Sequence, residues 1–184
     1  MAVHTKRIIL QVFQEMLEEM SFDRITVSAL VRRCEISPNT FYYHFQNIYA
    51  LLEAWLVQWL KEVLPDSELP ESRVAAEKSL LHACQDHPKL VNHILDSLSR
   101  EQIERVVFSL SEDWFHQYIK KVAGDRIVSE KRIQDISDFC RYAFFGFFFR
   151  FVRDRMTADV DQAVDELDAY FQCFIHSALA QREG

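Results

Sequence analysis

Ser37, Asn39, Thr40, Tyr42, Tyr43 and His44 place six hydrogen-bonding side chains within eight consecutive positions. Hydroxyls, an amide, phenols and an imidazole at this spacing form neither a nucleophile–base pair nor a metal-ligand set. What they can do is donate to and accept from phosphate oxygens and the edges of bases. Phe41 and Phe45 stand four apart within the run, so a helix would turn them to one side and leave the polar groups on the others.

The elements that must position this set are legible on either side of it. Ser37 is an N-cap residue, and Pro38 takes the first helical position, where its missing N–H costs nothing. Upstream, Thr26 caps a short helix whose Val27, Leu30 and Val31 share a face, with Ser28 exposed beside them. Cys34-Glu35-Ile36 is long enough only for a tight turn. Two short helices joined in this way can lay the second in a DNA major groove while the first braces it on the backbone. Thr26, Ser28, Ser37, Pro38, Asn39, Thr40, Tyr42, Tyr43 and His44 are therefore the candidate DNA contacts. A surface helical hairpin with no nucleic-acid role would show the same periodicity.

From about Thr5 to Leu52 the residues resemble the N-terminal domain of the TetR family of transcriptional regulators. The resemblance rests on Phe22, on Ile25-Thr26-Val27, and above all on Thr40-Phe41-Tyr42-Tyr43-His44-Phe45, with Leu51-Leu52 where the family's fourth helix begins. It implies an all-α fold of about nine helices. Residues 1–46 would form a three-helix DNA-binding head, and residues 47–184 a helical regulatory, ligand-binding and dimerising domain. It also implies a ligand-responsive regulator, a repressor that binds a palindromic operator as a homodimer. Three positions depart from the family pattern. Ser21 and Glu35 stand where glycine is usual, and the turn at Glu35 tends towards positive φ, which strains a residue with a Cβ. Ile48 replaces a lysine that commonly holds a phosphate, so binding should weaken and its salt dependence fall. The alternative is a TetR-like protein with weakened or lost DNA binding that acts as a co-regulator through protein contacts.

Composition narrows the remaining classes. Three glycines and four prolines in 184 residues favour long helices. Cys34, Cys84, Cys140 and Cys173 are scattered without a C-x-x-C pair, which reads as buried free thiols and neither zinc nor disulfides. Lys6 and Arg7 precede an amphipathic helix with no secretion signal in it. No window holds the ~18 uninterrupted apolar residues of a membrane span, so a cytoplasmic protein is expected. The first fifty residues balance Lys6, Arg7, Arg24, Arg32 and Arg33 against Glu15, Glu18, Glu19, Asp23 and Glu35, leaving the whole net charge of −7 on the remainder. DNA should repel such a body and orient a neutral head towards itself.

The rest reads as helices. One runs from Thr5 to Met20 and another from Asn47 to Leu64, followed by a Pro65–Pro70 linker from which Pro70 opens a helix through Gln85. Asp86 is the expected cap of a helix starting near Pro88. Ser99 and Gln102 form a capping box for a long helix ending at Gly124. Helices from Ser129 to Met156 and from Thr157 or Ala158 to Gln181 complete the chain.

Tyr142 to Val152 is apolar almost all round, so its helix must be buried on two sides. Ile133, Ile136, Cys140, Ala143, Phe144, Phe147 and Phe151 form one stripe, and Tyr142, Phe145, Phe149 and Val152 another. One stripe should face the subunit's own core and the other a second subunit, with Gly146 permitting close approach. The expected dimer interface is Phe145, Phe149, Val152, Leu167, Phe171 and Phe174, a four-helix contact across a two-fold axis.

As the resemblance implies, the body should hold an effector cavity. Trp59, His93, Phe108, Phe115, Tyr118, Phe139 and Tyr142 are its candidate lining, with Trp55 and His82 behind them. Such aromatics favour an apolar or aromatic small molecule. His82, His87 and His93 lack the i, i+4 spacing of helical metal ligands. No cofactor is expected, and no glycine-rich phosphate loop, G-x-S-x-G or H-E-x-x-H marks an enzyme. Asp165/Asp168 and Asp135/Asp138 lie at exposed helical spacing and read as solvated faces.

Overall fold

The computed structural model describes residues 2–63 and 73–181. Among these residues the fold is all-helical, with no strand. The helices are α1 (Ala2–Glu19), α2 (Val27–Arg33), α3 (Pro38–His44), α4 (Ile48–Val63), α5 (Arg73–Asp86), α6 (Pro88–Leu95), α7 (Arg100–Ala123), α8 (Glu130–Arg153) and α9 (Val160–Ala180), with a 3-10 turn at Phe22–Arg24. The proline linker and the helix start at Pro70 lie outside the described residues. No described helix is long and apolar enough to cross a membrane.

The chain divides into two compact units. One comprises residues 1–63 together with 87–103, and the other residues 64–86 together with 104–184. The unit carrying the helix-turn-helix thus extends past residue 46 to include α4 and α6. The reason is a shared core: Leu51, Leu52 and Trp55 of α4 and Leu90 and Ile94 of α6 join Ile9, Phe13, Leu17, Phe22, Leu30, Phe41 and Phe45.

Local chemistry sets the boundaries. Thr26 accepts the Ala29 N–H and Ser37 accepts the Thr40 N–H, while Asn47 Oδ1 accepts from both Tyr49 and Ala50 to open α4. The capping box holds, since Gln102 Oε1 accepts the Ser99 N–H and Ser99 Oγ accepts the Gln102 N–H. Gly124 closes α7 at φ 57°. The N-cap of α6 is His87, one residue beyond Asp86, and its side chain makes no capping bond. Pro88 at the first helical position has no N–H, so α6 starts with one unsatisfied donor fewer.

In the second unit a core of Phe115, Ile119, Ile133, Ile136, Cys140, Phe144, Phe171, Ile175 and Leu179 joins α7, α8 and α9. Cys84 and Cys140 are buried, Cys34 is half-buried and Cys173 is exposed. The exposed thiol departs from the expectation of four buried ones, because residue 173 falls on the outer side of α9, between Phe171 and Ile175, which point inward.

Candidate nucleic-acid interface and a charged cluster in the body

In α3 the two phenylalanines are drawn into the core, Phe41 completely and Phe45 nearly so. That fixes the helix's rotation. Ser37, Pro38, Asn39, Tyr42 and Tyr43 are then exposed, with Thr40 and His44 partly so. Tyr43 is 77 % exposed and Tyr42 56 %, large values for rings with no solvent role of their own. Ser37 Oγ and Thr40 Oγ1 lie 2.9 Å apart, so the two hydroxyls hold each other at the start of the helix. Thr26 and Ser28 are exposed at the start of α2. The nine candidate contacts therefore sit on two adjoining short helices of one unit.

Two sequence departures take physical form here. Glu35 adopts φ 55°, the left-handed conformation expected of the turn. Its backbone N–H reaches the Arg32 carbonyl at 3.3 Å, and the next N–H, of Ile36, reaches Val31 at 3.0 Å, closing α2. Ile48 is half-buried against the head's core. The electrostatics are also modified by folding. Arg33 is held by Glu19 at 2.5 Å and Glu15 at 3.3 Å, so one of the head's five basic groups is already neutralised by α1. Its hydrogen bonds hold the Glu19 carboxyl below its ordinary pKa.

The residues read as an effector lining are dispersed. Trp59 and His93 belong to the head's unit, where Trp59 stacks on Trp55 at 6.0 Å and His93 meets the Leu17 carbonyl at 2.7 Å. Phe108, Phe115, Tyr118, Phe139 and Tyr142 lie in the other unit. Phe115 is core, whereas Phe139 and Tyr142 are 53 % and 62 % exposed. Phe108 lies 4.6 Å from the Tyr142 ring and 5.2 Å from Phe145, with the Arg141 guanidinium 4.6 Å away. His82 approaches Asp161 at 3.5 Å. Among the described residues no cluster of His, Cys, Asp and Glu has metal-holding geometry.

The expected dimer residues also separate. Phe145 and Phe171 are buried within the single subunit, while Phe149, Val152, Leu167 and Phe174 remain half-buried. Periodicity could not make this division, because α8 offers apolar residues on every side. Outward-facing aromatics on α8 and α9 are instead Phe139, Tyr142 and Tyr170, and Phe139 stacks on Phe174 at 4.1 Å. Among the described residues nothing within the subunit comes within 4 Å of where a Cβ on Gly146 would sit.

The structure adds a constellation that no motif marked. Arg73, at the start of α5, is 1 % exposed and pairs with Glu77 one turn later at 2.5 Å and with Asp168 of α9. Its guanidinium lies over the Phe171 ring at 4.6 Å and the Tyr118 ring at 5.6 Å. Gln172 donates to Asp168 and to the Tyr118 hydroxyl. Glu77 Oε2 and Arg73 Nε are buried with no hydrogen-bond partner among the described residues. An unpaired buried polar atom costs ~1–3 kcal/mol. Burial pushes the Glu77 carboxyl above its ordinary pKa against the pull of Arg73, and Asp168 adds to the rise. The legible signal was that Arg73 and Glu77 share one helical stripe with the buried Leu81 and Cys84. Asp168 is correspondingly not on a solvated face, since it answers an arginine 95 positions earlier.

In this unit Cys84 and Cys140 offer no nucleophile, since burial raises both thiols to about 12, and in the head burial raises Cys34 to about 11.

Against known proteins, residues 9–55 match the family model described as bacterial regulatory proteins, tetR family, and residues 77–173 match that of a transcriptional regulator C-terminal region. The sequence matches no curated protein. Among solved structures, the dihydroxyacetone kinase operon activator DhaS superposes with a TM-score of 0.69 at 16 % identity, over 95 % of this chain and 98 % of that one. NalD, the secondary repressor of the MexAB-OprM multidrug efflux pump in Pseudomonas aeruginosa, gives 0.54 at 19 % identity, over 94 % and 97 %. A single-substitution variant of TetR from Acinetobacter baumannii AYE, in complex with minocycline, gives 0.50 at 19 % identity, over 94 % and 92 %. At these identities the likeness is one of fold.

Proposed function

The chain belongs to the TetR family of bacterial regulatory proteins, and on that premise we propose that it is a ligand-responsive transcriptional regulator binding a palindromic operator as a homodimer. The observation that carries the reading is α3 itself. Phe41 and Phe45 lock one side into the core, and Asn39, Tyr42 and Tyr43 are presented outward. A helix so fixed can bring an amide and two phenols to a groove without ordering them anew, which lowers the entropic cost of binding.

The dimer would form over the outward aromatics of α8 and α9, with Phe149, Leu167 and Phe174 at its margin. Two heads double the contacts and demand two half-sites in register. An apolar or aromatic effector bound in the body would act by population shift, favouring a head spacing that no longer matches successive grooves. Repression is the proposed output, because occupying a promoter needs no contact with polymerase. NalD is a repressor and DhaS an activator, so a transcription assay with and without protein sets the sign.

The test is binding of the full chain to the DNA flanking its own gene across about 50–200 mM salt, with unrelated DNA as competitor. Salt-sensitive, sequence-preferring binding supports the proposal, and its absence overturns it. A second reading, a co-regulator working through protein contacts, is favoured by the neutralisation of Arg33 and by Ile48. It would be upheld by a folded dimer indifferent to DNA.

A further inference from the structure

Arg73 and Glu77 are buried in the second unit, and Asp168 adds a second, half-buried carboxylate to the cluster. Arg73 puts one terminal nitrogen on Glu77 and the other on Asp168, and only its Nε is left without a partner among the described residues. Its ring contacts with Phe171 and Tyr118 cover its flanks. Glu77 is different. One oxygen takes the Arg73 bond, and the other is buried with no donor among the described residues. With Glu77 ionised the cluster carries one negative charge in excess, and it holds a spare acceptor that aromatic surroundings cannot satisfy.

We propose that Glu77, backed by the Arg73–Asp168 pair, is the charge-reading group of the effector site, and that the effector is an organic monocation with N–H donors on an aromatic or apolar body. This rests on the regulatory reading above and gives its effector a chemical class. An ammonium or amidinium brings the positive charge that the triad lacks and the N–H that Oε2 lacks. An apolar body suits the phenylalanine and tyrosine around it. A carboxylate ligand would face two carboxylates with one arginine already shared between them, and a neutral alcohol would supply a donor without the charge. Recognition would come from a pre-arranged acceptor in a low-dielectric setting, where a charge-assisted bond is at its strongest.

The experiment compares benzylammonium with benzyl alcohol by calorimetry on the full chain at neutral pH. The expected result is binding of the cation at least about tenfold tighter than the alcohol. Glu77→Gln should bring the two within about threefold. Should that variant fail to fold, hydrogen exchange on the wild-type chain locates the site, since the cation and not the alcohol should slow exchange of α5 amides. Equal binding of the two probes, no binding of either, or a Glu77→Gln protein that keeps the preference overturns the proposal. Cation preference in a chain that ignores DNA supports the site and overturns only the regulatory reading.

Discussion

His93 Nδ1 lies 2.7 Å from the main-chain oxygen of Leu17, joining α6 to the last turn of α1. A carbonyl only accepts, so that nitrogen carries the proton. Leu17 is among the last four residues of α1, whose carbonyls have no partner inside the helix. Ser97 extends the link, its single hydroxyl proton directed to the His93 carbonyl at 2.7 Å and shared with Asp23 at 3.3 Å. Within this unit α6 is therefore pinned by polar bonds as well as by Leu90 and Ile94. His93→Ala should lower stability by about 1 kcal/mol. The urea midpoint measures it, and an unchanged midpoint would show that water takes over the bond at no cost.

Glu35 at φ 55° is a residue with a Cβ in a left-handed turn. Glycine there would relieve ~1–2 kcal/mol of strain and return ~0.5–1 kcal/mol as unfolded-state entropy. Glu35→Gly should therefore raise the thermal midpoint by a small margin, equivalent to about 0.5–1 kcal/mol. A lower midpoint than the parent's would refute the strain argument.

Ile48 opens α4, and lysine at this position would present an ammonium beside the proposed DNA contacts. Ile48→Lys should tighten operator binding at low salt. It should also steepen the dependence of log K on log salt by about one unit per subunit. Anisotropy titrations at several salt concentrations read both. A slope that does not change would place residue 48 away from phosphate.

The stack of exposed Phe139 on half-buried Phe174 gives the proposed dimer a sharp test. Phe174→Glu should leave helicity intact and yield a monomer in sedimentation. Phe171→Ala, three residues away but 3 % exposed, should instead cost about 3–5 kcal/mol of fold stability. A Phe174→Glu protein that still sediments as a dimer would move the interface elsewhere.

Glu77 makes stability pH-dependent with a defined sign. Burial raises its folded pKa from 4.5 to about 7, so the native state binds the proton more tightly than the unfolded chain. The contribution is full below about 4.5 and is lost as pH rises through about 7. Urea midpoints between these limits should fall with rising pH in the wild type and flatten in Glu77→Gln. Parallel slopes in the two proteins would refute the assignment.

The amino-acid sequence by itself determined what depends on neighbours in the chain. Thr26, Ser37 and Asn47 cap their helices from two or three residues away, Ser99 and Gln102 exchange bonds within one turn, and Glu35 takes its strained angle in a three-residue turn. Phe41 and Phe45 at i, i+4 were enough to say which side of α3 faces outward, and the α3 residues with that spacing carried the family resemblance. Tertiary structure decided whatever depends on distant segments. Arg73 meets Asp168 across 95 positions, so an aspartate that looked solvated became the half-buried partner of a buried arginine. Arg33 is held by Glu15 and Glu19 of α1, a pairing across 18 and 14 positions that spacing does not show. The stripes of α8 could not be told apart, because a helix apolar on every side has no preferred rotation until α7 and α9 cover part of it. Phe145 and Phe171 then turned inward and Phe139 and Tyr142 outward. Local bonding is written at short spacing, whereas burial is a property of what the rest of the chain folds against.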